Sequence, residues 1–317
     1  MTQHPSLLAI VGPTASGKTD LALAVAARMP AEILVADSRQ VYRGMDVGTA
    51  KPGAAARRTV PHHLLDLVEP DERFTVADWV TRARSLVAEI GGRGRMPLVV
   101  GGTGLYVAAL VDGHDYASQP WSPDGRARLA DELEAGGLVP LVERLRRLDP
   151  SAAARIDLGN PRRVLRALER TEAGGVGVTP RATPYAGPVA LVGLDRPRAL
   201  LYRRIDERAR WLFEAGGLLD EVRRLLEAGH GPQLHPMTGH GYREAARHLA
   251  GEWSLDEAID VTARRTRQYA KRQLTWFRRD PRVTWLRAGD QPGDAPEIVA
   301  AAALSVATQL GEGSPID

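Results

Sequence analysis

The chain alternates short, unbroken apolar runs with longer stretches in which apolar residues recur at helical spacing. Four runs stand out: "LLAIV" (7–11), "EILVAD" (32–37), "MPLVVGG" (96–102) and "PVALVGL" (188–194). Each is bounded by Gly, Pro or Asp, as expected of a strand buried on both faces. Helical patterns lie between or after them. The expected fold class is therefore α/β, a parallel sheet flanked by helices. In such sheets ligands bind at the carboxyl ends of the strands.

From about Asp115 to Pro188 the strand pattern stops. "SPDGRARLADELEAGG", "VPLVERLRRLDPSAAARI" and "NPRRVLRALERTEAGG" read as amphipathic helices separated by Gly or Pro. The chain is thus expected to comprise a core in two parts, 1–114 and 189–288, around a helical insertion at 115–188. Residues 289–317 are expected to form a C-terminal helix and a disordered tail, "GEGSPID". The last long helix should begin after Ser254, which has capping-box spacing to Glu257, and run to about Arg278. No repeat of fixed period is visible.

The apolar content is ordinary at 44%. No apolar run approaches the roughly 18 residues that span a bilayer. "MTQHPS" lacks the basic segment of a secretory leader. The absence of cysteine excludes disulfides and cysteine-ligated zinc. A cytoplasmic protein away from membranes is expected, and a monomer. Lysine occurs only at Lys18, Lys51 and Lys271 in a chain rich in arginine. Residues 260–287 hold nine Lys/Arg against Asp260 and Asp280, interleaved with Tyr269, Trp276 and Phe277. Such a stripe is either a solvated helix face or a polyanion site, and the aromatics favour nucleic acid.

Three strand ends carry candidate chemistry. "GPTASGKT" follows the first strand and matches the phosphate-binding loop at Gly12, Gly17, Lys18 and Thr19. Its glycines let successive N–H groups point at an anion, beside a helix N-terminus. Lys18 would serve terminal phosphates and Thr19 a Mg²⁺ ion. Asp37 closes the second strand on the same sheet edge, where it can take a proton, cap a turn or meet Mg²⁺ through water. Ser38 and Gln40 flank it. Lys51, in "GTAKP", is either an anion contact or part of a solvated turn. The third strand ends in "GGTGLY", where Thr103 is either an N-cap or a hydroxyl aimed at the substrate. That strand lacks the terminal Asp of a Walker B ATPase.

The motifs "GPTASGKT", "ADSRQVYRGMDVGTAKP", "PHHLLD", "VVGGTGLY", "NPRRVLRALE", "RRIDERARWLFEAGGLLDEV", "GHGYREA" and "TRQYAKRQLTWFRR" occur in this order. Together they resemble the tRNA dimethylallyltransferases (tRNA isopentenyltransferases) over residues 7–287. The resemblance implies transfer of a dimethylallyl group from dimethylallyl diphosphate to N6 of the adenine 3′ of the anticodon. It implies that Gly12, Thr14, Ala15, Ser16, Gly17, Lys18, Thr19 and Arg208 hold the diphosphate, with Mg²⁺ at Thr19. It assigns catalysis to Asp37 as base, with Thr103 and Lys18. Ser38, Arg39, Gln40 and Thr103 would meet the entering adenine. Arg126, Asn160, Pro161, Arg162, Arg163, Val164, Gly241, Tyr242, Arg243, Lys271 and Arg272 would contact the tRNA anticodon stem-loop. The chain departs from the family pattern at His240, and the roles of His62 and His63 are open. With no cysteine it lacks the zinc finger of eukaryotic relatives, so a bacterial type is implied. A small-molecule kinase, a nucleotide-switched RNA-binding protein and an AMP prenyltransferase are the competing readings.

Overall fold

The computed structural model describes residues 4–113, 122–174, 182–289 and 296–312. The first part of the core contains β1 (Leu7–Val11), α1 (Lys18–Ala26), β2 (Ala31–Ala36), α2 (Ala54–Thr59), β3 (His62–His63), α3 (Val76–Gly92), β4 (Met96–Gly101) and α4 (Gly104–Val111). Four helices follow: α5 (Pro123–Gly136), α6 (Leu138–Leu148), α7 (Pro150–Arg155) and α8 (Pro161–Glu172). The sheet resumes with β5 (Val189–Asp195). Then come α9 (Arg198–Glu214), α10 (Leu218–Glu227), a short 3-10 turn, α11 (Tyr242–Leu249), α12 (Leu255–Phe277), β6 (Val283–Arg287) and α13 (Pro296–Glu312).

The chain forms two compact units, Met1–Asp112 with Pro184–Asp317, and Gly113–Thr183. α13 runs to Glu312, two residues into the segment expected as a tail, and 313–317 lie outside the described residues. So do 115–121 and 175–181 of the expected insertion.

The larger unit is an α/β fold around six parallel strands in the order β3-β2-β4-β1-β5-β6. Side chains alternate across a strand, and the apolar runs divide accordingly. Leu7, Ala9 and Val11 enter one core, while Leu8 and Ile10 enter the other. Leu34 and Ala36 follow the first set, and Ile33 and Val35 the second. This two-sided burial explains why these strands read as continuous apolar runs. Trp79 of α3 is fully buried, donates its Nε1–H to the Val35 carbonyl at 3.0 Å and stacks on Tyr106.

β3 and β6 escape the apolar pattern. β3 is two histidines, and in β6 only Val283 is buried. Ser254 caps α12 through the expected capping box with Glu257, and the helix ends at Phe277. Among the described residues no helix is long and apolar enough to cross a membrane.

The helical unit has its own core of Leu129, Leu141, Leu145, Ala152, Val164 and Leu168 among others. On its surface Arg128 and Arg144 share Glu132 and Glu172.

Candidate active site

Strand register brings the three chemical strand ends together. Gly101 of β4 pairs with Ala36 of β2 on one side and with Val11 of β1 on the other. The phosphate loop, Asp37 and Thr103 therefore leave the same edge of the sheet from adjacent strands. Gly101 cannot carry a side chain, because a Cβ would lie 2.0 Å from the Ala36 carbonyl oxygen.

The phosphate loop turns through positive φ at Gly12, Ala15 and Gly17. Such alternation of hand makes a concave nest of N–H groups. Gly17 is followed directly by α1, whose first residue is Lys18. The loop is braced from outside by two arginines that the sequence pattern did not single out. Arg196 donates to the Ser16 carbonyl from Nε and Nη2, each at 3.2 Å, and Arg204 donates to the Ala15 carbonyl at 3.1 Å. Gln273 of α12, also not singled out, accepts the Thr14 N–H at 2.9 Å. Gln273 and Arg204 lie within the motifs "TRQYAKRQLTWFRR" and "RRIDERARWLFEAGGLLDEV", but all three bond backbone atoms far away in sequence, which no motif displays.

Lys18 donates to the Pro13 carbonyl at 2.6 Å. Burial pushes its ammonium pKa down to about 8, opposed by Asp37 and assisted by Arg208. Burial likewise lowers the pKa of Arg208, again opposed by Asp37. Lys18, Asp37 and Arg208 thus form one electrostatic cluster, and Arg208 is not a solvated helix arginine. Asp37 Oδ1 accepts the Arg39 N–H at 2.8 Å. Thr103 makes no side-chain cap of α4; its hydroxyl accepts the Ser38 N–H at 3.1 Å. Tyr269 of α12 hydrogen-bonds the Thr103 side chain, and burial pushes its phenol up to about 12.

The resemblance implies a divalent cation beside the diphosphate, magnesium being the expectation. Among the described residues no group of three His, Asp or Glu could cage one. Magnesium on phosphates needs no such cage, since it keeps waters and takes one or two protein oxygens. The buried Ser16 hydroxyl has no partner inside the loop, and Thr19 is exposed in the first turn of α1. Such a donor set fits a magnesium diphosphate.

Gln40 donates to the Thr49 carbonyl at 3.0 Å, and Arg39 donates to the His235 carbonyl. Lys51 is neither an anion contact nor a solvated turn residue. Its side chain is 1% exposed and donates to Asp46 at 2.7 Å, Asp66 at 2.5 Å and the Tyr42 carbonyl at 2.6 Å. His63 pairs with Glu32 at 2.7 Å, and His62 bonds the Val60 carbonyl. His240 lies 5.2 Å from the Tyr269 ring, and burial first, then Arg265, lowers its pKa to about 4. It is a neutral imidazole at ordinary pH.

Two side chains expected at the RNA are turned into the protein interior. Val164 is fully buried in the helical core. Tyr242 is buried in the main core with its hydroxyl on Glu221 at 2.5 Å. Both sit on inward helix faces, which a motif match does not distinguish from outward ones. Gly241 is buried at the start of α11, while Arg243 beside it is exposed. In the helical unit Pro161, Arg162 and Arg163 are exposed. The Asn160 side chain caps α8 through the Arg162 N–H. Arg126 is exposed and lies 3.5 Å from Glu169.

The basic stripe of residues 260–287 carries less unpaired charge than its composition implies. Arg265 pairs with the buried Glu244, Arg267 with Asp206, Arg278 with Asp195, and Arg282 with Asp112 and Asp280. Lys271 and Arg272 are exposed, with no ion pair among the described residues.

A phosphate loop braced at its back, with a carboxylate and a hydroxyl on the two adjoining strand ends, defines an α/β phosphate-loop protein built for chemistry beside a bound anion. The chain matches the IPP transferase family over residues 40–280 and the isopentenyl transferase family over residues 5–63. It is 48% identical to the tRNA dimethylallyltransferase of Syntrophobacter fumaroxidans, covering 92% of this chain and 86% of that one. Identity to the enzyme of that name from Desulforudis audaxviator is 46%, covering 94% and 98%. The full-length tRNA isopentenylpyrophosphate transferase of Bacillus halodurans superposes with a TM-score of 0.73 at 38% identity, covering 98% and 99% of the two chains. The chain belongs to the IPP transferase family, the tRNA dimethylallyltransferases.

Proposed function

We propose that the chain transfers a dimethylallyl group from dimethylallyl diphosphate to N6 of the adenine 3′ of the anticodon in tRNA, with Asp37 as the base. The observation that carries this reading is the in-register placement of the phosphate loop, Thr103 and Asp37 on β1, β4 and β2. The adenine amine attacks the allylic carbon, forming a C–N bond. The C–O bond to diphosphate breaks, and its electron pair leaves on the diphosphate oxygen. The amine proton passes to the Asp37 carboxylate.

Charge grows on the leaving oxygen, and groups fixed beforehand stabilise it best. Lys18, Arg208 and the loop N–H groups supply that environment, and the Thr103 hydroxyl stands between the two reacting ends. Thr19 and the Ser16 hydroxyl would hold magnesium, which adds neutralising charge to the diphosphate when bound. The adenine has to leave its stack to reach Asp37, as for other enzymes that modify bases. Ser38, Arg39 and Gln40 line that approach. Lys271, Arg272 and Arg243 meet the RNA backbone, as do Arg126, Arg162 and Arg163 on the helical unit.

A small-molecule kinase would share the loop, but β4 ends in Gly101-Gly102-Thr103 without a carboxylate. The test supplies labelled dimethylallyl diphosphate, labelled ATP and unmodified tRNA. Label is expected in tRNA from the isoprenoid alone, without ATP turnover. ATP consumption coupled to phosphorylation of a small molecule would overturn the reading.

A further inference from the structure

Gln273 joins the two halves of the site. It is 5% exposed on the inner face of α12. Its Oε1 accepts the Thr14 N–H at 2.9 Å, and its Nε2 donates to the Gly102 carbonyl at 2.9 Å. An amide has one accepting end and one donating end, so these backbone partners allow only this orientation. The bridge runs from the phosphate loop after β1 to the turn after β4 that carries Thr103. The approach is close: a Cβ on Gly102 would lie 2.1 Å from Nε2. Three residues further along α12, Trp276 lies against Gly104, where a Cβ would come within 2.2 Å of the indole. One turn of α12 therefore grips Gly102 and Gly104, with Thr103 between them.

We propose that Gln273 is a positioning residue that fixes the separation between the diphosphate cradle and Thr103. It acts through Thr14 and Gly102 and touches neither substrate. The assignment rests on the transfer reading given above. With the clasp open, the loop and the Thr103 turn are free to drift apart. A displacement of about 1 Å is enough to cost roughly a hundredfold in rate in a well-aligned site.

Two variants test it. Gln273→Leu removes both hydrogen bonds at similar volume. Gln273→Glu keeps the acceptor for Thr14, but its carboxylate meets the Gly102 carbonyl with no proton; once protonated it restores both bonds. Transfer is measured at saturating tRNA between about pH 5.5 and 8.5, each variant relative to wild type at the same pH, because burial raises a carboxyl pKa into that window. Gln273→Leu is expected to lose roughly tenfold or more in kcat and to raise the donor KM several-fold at every pH, with tRNA affinity within about twofold of wild type. Gln273→Glu is expected to show the same defect at high pH and to recover most of it at low pH.

Repulsion of the donor by a new charge would leave Gln273→Leu at wild-type kcat and KM, and that result overturns the proposal. A Gln273→Glu ratio that does not change with pH also overturns it, as does a parallel loss of donor affinity, tRNA affinity and melting temperature. The affinity of the RNA-free protein for inorganic diphosphate, measured by calorimetry, separates the clasp from the transfer reading. It should be several-fold weaker in Gln273→Leu even if wild type transfers nothing to tRNA, and equal affinities would count against the clasp itself.

Discussion

Glu221 on α10 accepts the Tyr242 hydroxyl at 2.5 Å, with both side chains buried. The same carboxylate accepts the N–H groups of Asp46 at 2.9 Å, Val47 at 2.7 Å and Gly48 at 3.2 Å. The loop that begins at Asp37 is thus held from behind by a buried acceptor. Tyr242 presses on Gly48, where a Cβ would lie 2.4 Å from the ring. Burial, and then Glu221, raises the Tyr242 pKa well above the ordinary phenol value. Tyr242→Phe should therefore destabilise the fold by about 1 kcal/mol, the net worth of a typical hydrogen bond or slightly more. Urea unfolding measures this, and tRNA affinity should not change. An unchanged midpoint with weakened tRNA binding would return Tyr242 to the RNA surface.

Asp37→Asn keeps an oxygen for the Arg39 N–H but gives up the base. Turnover should fall at least about a hundredfold, the lower range for losing a general base. Binding of tRNA, measured by filter retention, should survive. Near-normal turnover would remove Asp37 from the mechanism.

Lys18 sets a pH limit. With its pKa lowered to about 8, its charge is present below that pH and lost above it. A bound diphosphate favours the charged form, so donor binding above this pH takes up a proton. The donor kcat/KM, which reports the free enzyme, should fall by up to about tenfold per pH unit above roughly pH 8. Arginine stays charged throughout this range. Lys18→Arg should start lower and show no such fall. A wild-type profile flat well into the alkaline range would contradict the assignment.

Lys51 is the ionic node of its loop. Lys51→Met leaves the exposed Asp46 and the half-buried Asp66 without their shared cation, although Arg57 still holds Asp66 at 2.8 Å. Breaking a buried pair on one side costs several kcal/mol, and the partial exposure of both carboxylates points to about 3 kcal/mol. Chemical denaturation should show that loss. Weaker donor binding at unchanged stability would instead make Lys51 an anion contact.

The exposed pair Lys271 and Arg272 should carry RNA phosphate. Replacing both by alanine should weaken all substrate tRNAs alike and flatten the salt dependence of affinity by roughly one to two phosphate equivalents. The rate at saturating tRNA should fall much less. An unchanged salt slope would mean that the RNA docks elsewhere.

The sequence displays best what repeats. β1, β2, β4 and β5 are legible because burial on both faces makes them unbroken apolar runs, and α12 because Ser254 and Glu257 spell its cap. Asp37, Lys18 and Thr103 are legible because each follows such a run. His62–His63 and Val283–Arg287 are not, since a two-residue strand and a mostly unburied edge strand have no pattern to show. Gln273, Arg196 and Arg204 escape for a different reason. Each is a polar side chain bonded to backbone more than a hundred residues away. Lys51 was conspicuous by its rarity, but rarity does not reveal that Asp46 and Asp66 enclose it.

The order β2-β4-β1 also acts as a ruler. Neighbouring strands stand about 4.8 Å apart, so the ends of β2 and β1 are separated by roughly 10 Å. The middle graduation is the Gly101-Gly102 turn, a floor that no side chain can raise. The distance from proton acceptor to anion cradle is therefore counted in strands of backbone, and lengthening or shortening a side chain at Asp37 or Lys18 leaves that scale unchanged.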